Sequence, residues 1–143
     1  MTPSVFNPSD ALDIPVSQTI LTFMATKQNW TLLSQVIEEQ DITKRQKLTL
    51  LLICEEIYTN ITKYAYDTVG KIRVTIVHDT KWRIRFCDWG RPYNPIKSPA
   101  PNTTQSIKQR KIGGLGLFLV KRKVQEISYT RQHKQNILTV VLK

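Results

Sequence analysis

Three short stretches of this chain carry polar or glycine residues where apolar ones would be expected. In "EEIYTN", Glu56 and Asn60 are four residues apart, which places both on one helix face. They lie within the most apolar helical stretch of the chain. A carboxylate and an amide on such a face offer hard oxygen ligands and a proton acceptor, a set suited to Mg²⁺ and phosphate chemistry. The plain alternative is the polar side of an amphipathic helix. In "FCDWGRPYNP", Asp88 ends an apolar run and Gly90 follows two residues later. A carboxylate at a strand end can accept from an exocyclic amine such as that of adenine, and a glycine lets a ring approach the backbone. The alternative here is an Asx-type turn entering a proline-rich loop. In "KIGGLGLFLVKR", Gly113, Gly114 and Gly116 fall at and just inside a helix start. Helix-start amides point outward unpaired, and the helix dipole favours an anion there. There is no GK[ST] of a Walker A loop and no GxGxxG after a strand. Such a cluster alone is weak evidence.

The elements that must position these residues can be read from periodicity. Residues 1–16 contain Pro3, Pro8 and Pro15 and little pattern, and read as a leader. "TILTFMAT" (19–26) reads as a strand, and "NWTLLSQVIEEQ" (29–40) as a helix through Trp30, Leu33, Val36 and Ile37. Thr43 with Gln46 fits a capping box that starts a long helix over 44–66. Ile72, Val74 and Ile76, then Trp82, Ile84 and Phe86, alternate with polar residues. They predict two strands joined at Asp79-Thr80. From Trp89 to Ile112 the chain is polar, rich in proline and basic, and reads as a lid over about 91–112. A helix is predicted from about Gly114 to Glu126, then a hairpin of "ISYTR" and "ILTVVLK" around "QHKQN". This order predicts an α+β two-layer sandwich, with helices on one face of a mostly antiparallel sheet. The domain is expected at 17–143.

Composition narrows the classes. At 143 residues and 41% apolar content the chain suits one globular domain. No run of 18 apolar residues offers a membrane span, and the N-terminus lacks the pattern of a secretory signal. Cys54 and Cys87, without CxxC spacing, suggest reduced core thiols of a cytoplasmic protein, and His78 and His133 lack ligand-like spacing. The net charge of +10 favours acidic partners. Lys and Arg are spread along the chain without an aromatic-interleaved stripe, so direct nucleic-acid binding is not favoured.

The order of the three stretches is more telling than any one of them. "EEIYTNITKYAY", "DWGRPYNP" and "GGLGLFLV" resemble the N box and the two glycine boxes of GHKL-type (Bergerat-fold) ATPase domains. The short length and the Asp-x-Gly-x-Pro-aromatic-x-Pro form look most like the anti-sigma-factor serine/threonine kinases of the RsbW type. The resemblance covers roughly 17–143 and implies ATP and Mg²⁺ as ligands. It implies that Asn60 binds Mg²⁺ and that Glu56 is the general base for the attacking hydroxyl. Asp88 would hold the adenine amine and Gly90 would make room for the ring. Gly113, Gly114 and Gly116, with the neighbouring amides of Leu115 and Leu117, would contact the phosphates. Asn94 stands where the family often has an acid, and Tyr64 where it often has His.

The expected function is an ATP-dependent serine/threonine kinase acting as an anti-sigma factor. It would phosphorylate a STAS-domain anti-sigma-factor antagonist and sequester a sigma factor, and a homodimer is expected. Both partners and the dimer are implied by the resemblance alone. One rival is a nucleotide-gated protein-binding module without transfer chemistry. Glu56 beside Asn60 favours the enzyme, because binding ATP needs the amide more than the base. The other rival, a basic nucleic-acid-binding domain, leaves the order of the boxes unexplained.

Overall fold

The computed structural model describes residues 17–97 and 120–143. The described elements run β1 (Ser17–Met24), α1 (Trp30–Glu38), α2 (Lys44–Asn60), a π turn (Ile61–Ala65), β2 (Lys71–His78), β3 (Trp82–Asp88), a 3-10 turn (Pro95–Lys97), β4 (Val124–Gln132) and β5 (Gln135–Leu142). The strands form one sheet in the order β1-β2-β3-β5-β4, and every pair is antiparallel. The helices lie against this sheet, so the α+β expectation holds. Alternation sends one side of each strand inward. Ile72, Val74 and Ile76 of β2 and Trp82, Ile84 and Phe86 of β3 join Leu50, Ile53, Cys54 and Ile57 of α2 in one buried cluster.

The capping box is present as expected. The Thr43 hydroxyl accepts from the Gln46 amide, and the Gln46 side chain accepts from the Thr43 amide. The predicted 44–66 helix ends earlier, at Asn60, and widens into the π turn before Tyr66 turns extended. The 114–126 helix is also corrected: of its described part, 120–123 is helical and β4 begins at Val124. Val124 is buried and pairs with Leu142, and a bulge before Glu126 resets the register. Pairing with β5 and burial of Val124 outweigh the local helical pattern. The closing hairpin turns at His133 and Lys134, which both take positive φ, 51° and 61°.

Cys54 and Cys87 are free and buried, and burial pushes both thiols up, which leaves neither a ready nucleophile. No group of three His, Cys, Asp or Glu side chains gathers into a metal-binding arrangement among the described residues. No described helix is long and apolar enough to cross a membrane.

Candidate nucleotide site

Two inward-facing rows of the sheet end in a polar residue. Along β3 the buried row is Trp82, Ile84, Phe86 and then Asp88. Along β5 it is Asn136, Leu138, Val140 and Leu142. The β3–β5 register pairs Asp88 with Asn136, so the two polar ends stand side by side. Both are almost wholly buried, at 3% and 4% exposure. Buried polar groups need partners, and these two supply one another: Asn136 Nδ2 donates to Asp88 Oδ1 at 2.8 Å. The Gly90 amide donates to the same oxygen at 2.9 Å.

Asn60 reaches this point from the other layer. As the last residue of α2 it is 4% exposed, and it lines a cleft together with Asp88 and Asn136. Buried Ile57, Ile61, Phe86, Pro95 and Leu138 give the cleft apolar walls, and the half-buried Tyr93 and Tyr129 complete its lining at the rim. Its cavity volume is about 20 Å³, room for a water-sized group. A purine ring is several times larger, so its entry requires the lining to shift. Tyr93 is stacked on Tyr64 of the π turn, with ring centroids 5.0 Å apart. The Asn94 side chain accepts from the Ile96 amide at 3.0 Å and starts the 3-10 turn.

Burial pushes the Asp88 carboxyl up, and the hydrogen bonds from Asn136 and Gly90 and the charge of Arg131 work against that rise. The Glu56 carboxyl is pushed up from its ordinary value, first by burial and then by the charge of Glu55, with Lys63 opposing. Glu56 Oε2 is buried without a hydrogen-bond partner. Glu56 lies one helical turn before Asn60 but is not among the residues lining the cleft. Gly90 is likewise outside the lining. A Cβ there would meet the backbone oxygen of Ala65 at 2.1 Å, so the need for glycine comes from the π turn. The next amide, that of Arg91, donates to the same Ala65 oxygen at 2.8 Å. Gly113, Gly114, Leu115, Gly116 and Leu117 lie outside the described residues, as does the lid from 98 to 112.

Reasoning from sequence missed Asn136, Tyr66 and Arg131. Asn136 falls within the predicted "QHKQN" turn, yet it opens the alternating row Asn136, Leu138, Val140, Leu142. The Tyr66 hydroxyl accepts from the Trp89 amide at 2.8 Å and donates to the Lys71 carbonyl at 2.5 Å. Arg131 donates to the Gly90 carbonyl at 2.8 Å. Together they fix the backbone just after Asp88, at Trp89 and Gly90.

A family model described as "Histidine kinase-like ATPase domain" matches residues 25–142, most of the chain. The chain belongs to this family. The histidine kinase-like ATPase domain thus binds ATP and is kinase-like in function, with a phosphotransferase-like activity that depends on ATP. No curated protein sequence matches it significantly. The match begins at Ala25, just beyond β1, and takes in all the residues that line the cleft.

Proposed function

We propose that this domain is a serine/threonine protein kinase of the anti-sigma-factor type. It would transfer the γ-phosphoryl group of ATP to a hydroxyl of a STAS-domain antagonist and sequester a sigma factor. The observation that carries the transfer reading is Glu56. Its Oε2 is buried and unpartnered one turn from Asn60, and burial pushes its carboxyl above the ordinary glutamate value. A carboxylate oxygen with no partner of its own is free to accept the proton of an attacking hydroxyl. On this reading Asp88 accepts from the adenine amine and Glu56 takes the proton of the attacking hydroxyl.

The site also suits Mg²⁺. The ion is commonly held by one or two protein oxygens together with phosphates and waters, and the Asn60 amide in the cleft offers one such oxygen. Bound there, the ion would offset charge on the phosphates. The short length and the Asp-x-Gly-x-Pro-aromatic-x-Pro form of residues 88–95 support the anti-sigma-factor subfamily.

A second reading, the nucleotide-gated binding module, is favoured by one observation: Glu56 stands outside the cleft lining that holds Asn60 and Asp88. The two readings separate in one experiment. The protein is incubated with labelled ATP, Mg²⁺ and STAS-domain proteins encoded near it. Label on a serine or threonine of one of them is expected. Nucleotide binding without any transfer would leave the binding module as the function.

A further inference from the structure

Asn136 has every hydrogen-bonding capacity of its amide committed. Nδ2 donates to Asp88 Oδ1 at 2.8 Å and to the Arg91 carbonyl at 2.7 Å. Oδ1 accepts from the Tyr93 amide at 3.2 Å and from the Tyr129 hydroxyl at 2.5 Å. An amide has two donors and an acceptor oxygen with two lone pairs, and a buried one left partly unsatisfied is costly. One side chain thus joins the end of β3, the middle of β4 and residues 91–93, the segment that leads toward the rim of the cleft.

We infer that Asn136 is a positioning residue with two separable effects. It fixes the Asp88 carboxylate with Oδ1 occupied and Oδ2 left for a base amine, and it ties that orientation to the backbone of residues 91–93. The inference rests on the nucleotide reading of the cleft. It goes beyond it by naming what sets base preference and what links the base to the cleft's rim.

The first effect follows from acceptor geometry. Oδ1 is held by two donors, the Gly90 amide and the Asn136 amide. With Asn136 gone, Asp88 can rotate and spend either oxygen on Gly90. A base with an exocyclic amine then loses its advantage over one with an oxo group at the same position. The second effect follows from the Arg91 and Tyr93 bonds. Tyr93 lines the cleft that a base would enter, and its amide is held through Asn136 to Asp88. Base engagement at Asp88 and the order of 91–93 are therefore linked, and linkage acts in both directions.

Two variants separate these effects. Asn136→Ala removes all four bonds. Asn136→Thr keeps one hydroxyl donor for Asp88 and suits a strand, but cannot serve Arg91 and Tyr93 as well. Three quantities are measured on the whole protein: affinity for ATP, affinity for inosine triphosphate, and hydrogen exchange of the Arg91 and Tyr93 amides, the exchangeable ones in 91–93, with and without ATP. In the wild type, ATP should bind more tightly than inosine triphosphate and should change exchange at 91–93. In Asn136→Ala the preference for ATP should fall about tenfold or more, and the exchange response should vanish. In Asn136→Thr most of the preference should remain while the exchange response is lost. If the alanine variant does not fold, the threonine variant decides alone: a preserved exchange response overturns the linkage, and loss of base preference with preserved exchange overturns the assignment of effects. Wild-type preference in a folded Asn136→Ala also overturns the inference. A wild-type protein that binds neither nucleotide defeats the nucleotide reading itself, which is a different result.

Discussion

Asp88 accepts both of its hydrogen bonds from neighbouring residues on Oδ1, so Oδ2 is the oxygen a ligand can use. This sharpens what Asp88→Asn should do. The new side chain must aim its oxygen at the Gly90 and Asn136 donors, which turns its own NH₂ toward the base amine. Two donors then face each other. ATP affinity should fall by roughly 1.5–3 kcal/mol, measured by calorimetry, and unchanged affinity would remove Asp88 from the site. Stability should move the other way. The folded-state pKa of Asp88 is raised above its ordinary range, chiefly by burial. The folded protein therefore binds this proton more readily than the unfolded chain does, and ionised Asp88 costs stability at neutral pH. Without nucleotide, Asp88→Asn should melt higher than wild type at pH 7. The gap should shrink as pH falls through the raised pKa toward the ordinary Asp range. A gap that widens on acidification would contradict this sign.

The residue scale also separates Glu56 from Asn60. Glu56→Gln is nearly isosteric and removes only the charge. It should keep ATP affinity and slow transfer to the partner hydroxyl by about 10²–10⁴-fold, the usual general-base contribution. Asn60→Ala should weaken Mg²⁺-dependent ATP binding along with the rate. Paired affinity and single-turnover measurements test both. A wild-type rate in Glu56→Gln would favour the binding module.

At the scale of elements, the π turn and the start of the lid segment are built together. Gly90 packs against the Ala65 carbonyl, which also accepts from the Arg91 amide. Arg91 pairs with Asp67, just past the turn. Gly90→Ala would drive a methyl group to 2.1 Å from a backbone oxygen. The turn cannot yield without giving up the Arg91 bond, so a loss of about 1–3 kcal/mol in chemical denaturation is expected. A neutral result would mean that the turn and strand separate freely. Such contacts explain what could and could not be read from sequence. β2 and β3 were legible because one face of each is apolar at period two, and α2 because its cap is local. The end of α2 was not, since no local stop signal marks the widening after Asn60, and the residues that pack on the turn, Gly90 and Tyr93, are distant in sequence. β4 was obscured because its first residues continue a helical pattern and only pairing with β5 makes them a strand. Asn136 was hidden for the same reason: its meaning lies in the register that sets it beside Asp88, a long-range fact.

At the scale of the whole molecule, the cleft spans both layers. Asn60 and Ile57 come from the helical layer, and Asp88, Asn136 and Leu138 from the sheet. A ligand seated there touches both and is lost when the layers part, so it binds the folded state and not the unfolded chain. Binding then stabilises by RT ln(1 + [L]/Kd), about 2.7 kcal/mol at a hundredfold excess over Kd. For a domain of this size each kcal/mol is worth a few degrees, so saturating ATP should raise Tm by roughly 5–15 °C. The same ATP concentration should give a smaller rise for Asp88→Asn. The +10 net charge supplies a competing explanation, since any polyanion can stabilise a basic protein. Salt and triphosphate controls tell them apart. Diffuse attraction is screened as the Debye length falls from about 10 Å at 0.1 M toward 3 Å at 1 M. The hydrogen bond to Asp88 is short-ranged and selects the base. At about 0.3 M salt ATP should still raise Tm more than inorganic tripolyphosphate at the same concentration. If tripolyphosphate matches ATP, or if the ATP shift disappears with salt, the stabilisation comes from charge alone and the cleft at Asp88 is not where the base binds.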